Sequence, residues 1–134
     1  MILGIGVDLC SIERIGRALS RHGDAFLERV FTPEEQDYVQ SLRGAVRVGA
    51  CAKRWAAKEA CAKALGTGFA HGVQLRDISV GRNPLGAPVL SLSGEAASVL
   101  ARRLPEGYRA ELLLSMSDDP PLAMAQVLIQ AISL

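Results

Sequence analysis

Aromatic side chains are scarce in this 134-residue chain: three Phe, two Tyr and one Trp make up 4% of it. That leaves little for the stacked platforms on which single-stranded nucleic acids lie. Neither sign of charge prevails, because 15 Lys and Arg face 14 Asp and Glu for a net charge of +1. A nucleic-acid coat protein, whose domain is strongly basic, does not fit that balance. Long apolar runs are missing too. The longest uncharged stretch, Pro120 to Leu134, contains two prolines and two glutamines and is shorter than the ~20 residues a spanning helix needs, so no membrane span is expected. The opening MILGIGVD lacks a basic segment and is interrupted by Asp8, which argues against a secretory signal. Cys10, Cys51 and Cys61 form no CxxC or Cys/His metal spacing, and they read as buried free thiols of a cytoplasmic protein.

What is present suits a globular fold, with 49% apolar and 22% charged residues, and the length predicts a single domain over 1–134. A short strand is expected over Ile2–Val7, where Leu3, Ile5 and Val7 share a face and Gly4 and Gly6 leave the other bare. Ser11 is a candidate N-cap for a helix to about His22, with Ile12, Ile15 and Leu19 on one face and Arg14, Arg17 and Arg21 on the other. Thr32-Pro33-Glu34-Glu35 has the form of a capping box, opening a helix that runs to about Leu42 and stops at Gly44. A third helix, from about Val48 to Leu65, holds seven alanines between Ala50 and Ala64 and ends at Gly66. Beyond it lie a hairpin (Asp77–Val80 and Val89–Ser93 around Asn83-Pro84), a short helix over Gly94–Leu104, and two apolar runs broken at Asp118-Asp119-Pro120-Pro121. The order predicts an α+β fold.

Charge placement says more than total charge. Between Tyr38 and Leu75 six basic residues (Arg43, Arg47, Lys53, Arg54, Lys58, Lys63) accompany a single acid, Glu59. Such an excess suits a polyanion such as a phosphorylated small molecule, or it is simply a solvated basic face. Glu59 and Lys63, four apart on one helix face, form either a surface pair of ~0.3–0.5 kcal/mol or a metal-binding carboxylate beside a phosphate-binding ammonium. Asp8 is either a turn aspartate or the second oxygen ligand of a hard divalent ion. Gly66-Thr67-Gly68 has the look of a phosphate loop, yet it follows a helix where a P-loop precedes one. The Arg14/Arg17/Arg21 stripe is a solvated face or a dock for an acidic partner. His22 and His71 stand alone.

Together, GIGVDLCSIERI, RVFTPEE, AKRWAAKEACAKALGTG, NPLGAPVLSLSG and LSMSDDPPLAMAQVLI resemble the holo-acyl-carrier-protein synthase family of 4′-phosphopantetheinyl transferases, over nearly the whole chain and in family order. The most specific parts are Gly-x-Gly-x-Asp ending at Asp8 and Lys58-Glu59-x-x-x-Lys63 preceded by Arg54. The resemblance implies a mainly antiparallel sheet packed on a long central helix. It also implies a magnesium-dependent enzyme moving phosphopantetheine from coenzyme A to a serine of apo acyl carrier protein, releasing adenosine 3′,5′-bisphosphate, in support of fatty acid biosynthesis. By motif, Asp8 and Glu59 match the magnesium ligands, and Lys63 the lysine near the pyrophosphate. Arg54 and Lys58 lie in the coenzyme A-binding segment, and Gly66, Thr67 and Gly68 match the loop beyond it. Arg14, with Arg17 and Arg21, belongs to the helix that meets the carrier protein, and a homotrimer with active sites between subunits is implied. Glu59 is the expected general base, with Glu35 as second candidate. One departure stands out: where many members have Ser-x-Ser/Thr-His, this chain has Ser115-Met116-Ser117-Asp118. An ionised Asp118 either turns away from bound phosphate or helps hold the metal through water, and the first is the favoured expectation. The alternative to an enzyme is a non-catalytic module that binds an acidic protein through the arginine stripe.

Overall fold

The structure, a computed structural model, describes residues 1–134. Strand β1 (Ile2–Ser11) is followed by four helices, α1 (Ile12–His22), α2 (Asp24–Val30), α3 (Pro33–Gln40) and α4 (Gly44–Leu65). A 3₁₀ turn (Leu75–Asp77) leads into the hairpin of β2 (Ile78–Arg82) and β3 (Pro88–Leu92), then α5 (Gly94–Arg103) and the long hairpin of β4 (Tyr108–Asp119) and β5 (Leu122–Ser133). All pairings are antiparallel. One sheet has the order β1-β5-β4, and β2-β3 form a separate pair. This is the expected α+β arrangement, with a long helix lying on an antiparallel sheet.

Small residues explain how closely the helix lies. A Cβ added at Gly4 would sit 1.9 Å from the Ala64 carbonyl oxygen, and one at Gly6 the same distance from that of Ala60. No side chain fits there, so β1 and α4 meet backbone to backbone. The helix answers with Ala52, Ala56, Ala57, Ala60, Ala62 and Ala64, all buried. On β5 the residues Ala123, Ala125, Val127 and Ile129 close the same layer. The opposite face of this sheet has no cover: Ile5 is 59% exposed, Leu9 64% and Leu113 47%. Register places Ile5, Leu128 and Leu113 in one apolar row across all three strands.

Several boundaries differ from expectation for local reasons. β1 continues past Val7 because Asp8 to Ser11 pair with Ala125 to Leu122. α3 ends at Gln40, and Gly44, expected as a stop, opens α4 instead. Arg47 explains the early start: its Nε donates to the Val39 and Leu42 carbonyls and its Nη2 to that of Gln40, bracing the first turn of α4 on the open end of α3. The short α2 carries no capping side chain and follows Gly23 at φ 50°, so little in its sequence announces it. Asp118 and Asp119 pair with Ala123 and Leu122, which narrows the expected four-residue break to Pro120-Pro121. Ser11 and Thr32 cap α1 and α3 as expected, and Gly66 ends α4 at φ 87°.

The backbone contact yields the first prediction. Gly6→Ala forces the strand and helix apart, and urea unfolding should show a loss of about 3 kcal/mol or more. A variant with unchanged midpoint would mean that the layer yields easily.

Candidate active site and anion cavity

Where β1 crosses α4, three ionisable side chains converge. Asp8 projects from the helix-facing side of the strand, in register with Ala125. Glu59 and Lys63 lie one turn apart on α4 and face it. Lys63 Nζ donates to Asp8 Oδ1 at 3.2 Å and to the Val7 carbonyl at 2.9 Å. Its side chain remains 53% exposed, so the ammonium is still open to solvent and to a ligand. Burial, then the neighbouring Asp8 carboxylate, push the Glu59 carboxyl above its ordinary range, and Lys63 offsets part of this. Two carboxylates sharing one ammonium form a site short of positive charge.

A second feature lies on another side of α4. A cavity of about 840 Å³ is lined by Thr32, Tyr38, Arg54, Ser79, Arg82 and Ser93, among others. The Arg54 guanidinium is 4.4 Å from the centroid of the Tyr38 ring, and that of Arg82 is 5.2 Å from it. Arg54 is only 3% exposed, its Nη1 donates to the Ala50 carbonyl, and its Nε has no partner. No carboxylate forms an ion pair with it. A buried cation with no ion-paired carboxylate, beside hydroxyls and a second arginine, suits an anion, with Glu34 the one carboxylate among the lining residues. Tyr38 and Arg82 were not anticipated. Their signal was faint, since Tyr38 closes a helix and Arg82 merely precedes the Asn83-Pro84 turn.

Lys58 requires correction. Expected at the coenzyme A surface, it is wholly buried, with Nζ donating to Glu35 Oε1 at 2.7 Å, the Ile78 carbonyl at 2.5 Å and the Leu75 carbonyl at 3.1 Å. Those three bonds use every proton of the ammonium. Burial pulls its pKa down, while Glu35 pushes it back up. Glu35 is likewise no candidate base. Its carboxylate is buried and accepts from Thr32 N, Thr32 Oγ1, Val80 N and Lys58.

The remaining candidates fall around these two centres. Gly66, Thr67 and Gly68 begin three residues after Lys63, at the end of α4. Their geometry is first that of a helix stop, with Gly68 N donating to the Ala62 carbonyl and Thr67 Oγ1 to that of Gly68. Arg14, Arg17 and Arg21 are exposed on α1, and Arg17 is tied to Glu13 at 2.8 Å. Beside Arg14 is a smaller hollow of about 210 Å³, lined by Leu9, Ile15, Ala18, Phe26 and Trp55. Asp118 turns onto α4 and pairs with Lys53 at 3.1 Å. The thiols are buried and free, with Cys10 and Cys51 pushed up to about 11 and Cys61 to about 12, chiefly by burial, so none is a thiolate near neutrality.

Comparison with known proteins agrees with this arrangement. Residues 4–123 match the family model described as the 4′-phosphopantetheinyl transferase superfamily. A holo-[acyl-carrier-protein] synthase of Gluconobacter oxydans is 60% identical over 134 residues, spanning 100% of this chain and 85% of the relative. The crystal structure of the Neisseria meningitidis holo-[acyl-carrier-protein] synthase superposes with a TM-score of 0.82 at 39% identity, covering 97% of this chain and 99% of that one. A Bacillus anthracis holo-(acyl-carrier-protein) synthase in complex with CoA (3′,5′-ADP) gives 0.77 at 33% identity, covering 96% of both. Matched across nearly its whole length by model, sequence and fold, the chain belongs to the 4′-phosphopantetheinyl transferase superfamily.

Proposed function

We propose that this chain transfers the 4′-phosphopantetheine arm of coenzyme A to a serine hydroxyl of an apo acyl carrier protein, leaving adenosine 3′,5′-bisphosphate. The observation that carries this reading is the convergence of Asp8, Glu59 and Lys63 at the backbone contact of β1 and α4, in a chain whose relatives are holo-[acyl-carrier-protein] synthases. It favours an enzyme over a docking module, which has no need of two carboxylates pressed together.

The donor set suits Mg²⁺, a hard ion that takes one or two carboxylates together with phosphate and water oxygens. Asp8 and Glu59 would hold it; bound there, the ion supplies charge neutralisation for the pyrophosphate oxygens. Glu59, facing the reacting centre beside Asp8 and Lys63, takes the proton of the attacking serine as general base. The serine oxygen bonds to the β-phosphorus as the bridging oxygen to the α-phosphorus leaves. Lys63, with one N–H beyond those given to Asp8 and Val7, stabilises or protonates that leaving oxygen.

Arg54 and Glu59 are five residues apart, which places them about 140° apart around α4. A coenzyme A with its 3′-phosphate at Arg54 of one copy and its pyrophosphate at Glu59 of the next uses both centres. The uncovered apolar face of the β1-β5-β4 sheet provides a surface for self-association, and the family resemblance implies that the assembly is a homotrimer with shared sites. Arg14 and Arg21 attract an acidic carrier protein, and the apolar hollow at Ile15, Phe26 and Trp55 lies beside Arg14 on the same face.

Three outcomes test these statements. Intact mass spectrometry of apo acyl carrier protein, incubated with coenzyme A, Mg²⁺ and the enzyme, should show a gain of one phosphopantetheine arm. The gain should vanish with EDTA and with a folded Glu59→Gln variant; turnover by that variant would refute the assignment of Glu59. For the shared site, inactive Glu59→Gln and Arg54→Ala proteins, mixed and reassembled, should regain up to about a quarter of wild-type activity, since random pairing leaves some interfaces intact. Leu113→Lys should abolish both the oligomer and this rescue in sedimentation runs and assays; a mixture that stays inactive while exchanging subunits would refute shared sites. Arg14→Glu should raise KM for the carrier about tenfold more than for coenzyme A, with the difference shrinking as salt screens it.

A further inference from the structure

The Glu35–Lys58 pair is the most fully buried charge in the molecule, with both side chains 0% exposed, and the chemistry described above does not use it. Its bonds connect three separate segments. Lys58 belongs to α4, one turn from Arg54. Glu35 belongs to the first turn of α3, where Oε1 accepts from Thr32 N at 2.8 Å and from Thr32 Oγ1 at 3.2 Å. The third segment runs from the 3₁₀ turn into β2: the Leu75 and Ile78 carbonyls accept from Lys58, and Val80 N donates to Glu35 Oε2 at 2.8 Å. Thr32 Oγ1 also meets Ser79 Oγ at 3.2 Å.

Val80 pairs with Leu90 of β3, yet its N–H serves Glu35 on the other edge of β2, where no third strand lies. A carboxylate therefore takes the place of a neighbouring strand. Thr32, Ser79 and Val80, all bonded within this network, are also wall residues of the Arg54 cavity. Burying an ion pair rarely adds stability over apolar residues of the same volume, but it is directional, because each bond demands one orientation of its partner.

We propose that Glu35 and Lys58 are positioning residues that hold the β2–β3 hairpin at a fixed place on α4, so that the cavity wall stays aligned with Arg54 for the nucleotide 3′-phosphate. This rests on the cavity being the coenzyme A anion site. The pair touches no substrate, and its effect is exerted through Thr32, Ser79, Val80 and the helix turn carrying Arg54.

The test measures binding of adenosine 3′,5′-bisphosphate by calorimetry, with kcat and KM for coenzyme A, in the assembled enzyme. The double variant Glu35→Gln/Lys58→Met removes both charges at nearly constant volume. It should melt below wild type, since the Leu75 and Ile78 carbonyls lose their donor, yet stay folded at assay temperature, while Kd for the bisphosphate and KM rise about tenfold and kcat changes less than about threefold. Wild-type Kd and KM in a well-folded double variant would overturn the proposal, making the pair space-filling. A fall in kcat at unchanged KM would overturn it too, placing the effect at Glu59. Should the double variant not fold, Glu35→Asp keeps both charges but retracts the carboxylate. The same rise in KM then supports the proposal, and an unchanged KM refutes it. Arg54→Ala separates the two readings. If it binds the bisphosphate as wild type does, the cavity is not the nucleotide site and both readings fall. If it binds weakly while the double variant binds normally, only the positioning role is lost.

Discussion

Everything in this molecule hangs on the absence of two side chains. Gly4 and Gly6 let β1 lie directly on α4, with Cβ positions that would fall 1.9 Å from helix carbonyls. That contact sets how far Asp8 stands from Glu59 and Lys63. A conventional strand–helix layer, with interdigitated Val and Leu, holds its elements several ångströms further apart, and short carboxylates do not meet across such a gap. The alanines of α4 are the other half of the same device. They supply helix propensity without bulk, so the helix stays regular while its backbone approaches the strand.

Because alanine fills so much of α4, its charged residues are free to serve different directions. Lys53 reaches out to Asp118 on β4. Arg54 and Lys58 turn toward α3 and the β2–β3 hairpin, while Glu59 and Lys63 face β1. One helix thus organises three neighbours and keeps two ionic centres at fixed separation. The Lys53–Asp118 bridge also shows what an acidic residue does at this turn: its charge is matched by a lysine of the enzyme's own helix.

Legibility in the sequence followed the range of the interaction. Caps and stops are encoded within four residues, so Ser11, Thr32 and Gly66 marked their helix ends correctly. The carboxylates and Lys63 were legible because motif spacing combined with a glycine pattern that has a steric meaning. Partners distant in sequence were hidden. Lys58 and Glu35 are 23 residues apart, and Glu35 reads from sequence as a capping glutamate, which it is, or as a second candidate base, which it is not. A basic run that reads as either a polyanion site or a solvated face therefore concealed one lysine wholly inside and one arginine nearly so. Gly44 misled for the opposite reason: a glycine suits either end of a helix, and Arg47, folding back on the α3 carbonyls, decides which.

Three features of the isolated chain violate the ordinary rules of folding. Arg54 is buried without a counter-ion, Asp8 and Glu59 crowd like charges, and an apolar sheet face is left bare. Each violation disfavours the single apo chain, and each has a different remedy: an anion for the first, a cation for the second, a second copy for the third. Polar networks built for stability alone are satisfied internally, as Glu35 and Lys58 are. The contrast between that closed pair and the open guanidinium one turn away sets the proposed anion site apart from the scaffold. The anion and cation centres face different ways from one helix, so in the proposed shared-site assembly it is a second copy that would bring them together. Assembly, nucleotide binding and metal binding would then be linked equilibria, each strengthening the next by completing what the single chain leaves unpaired.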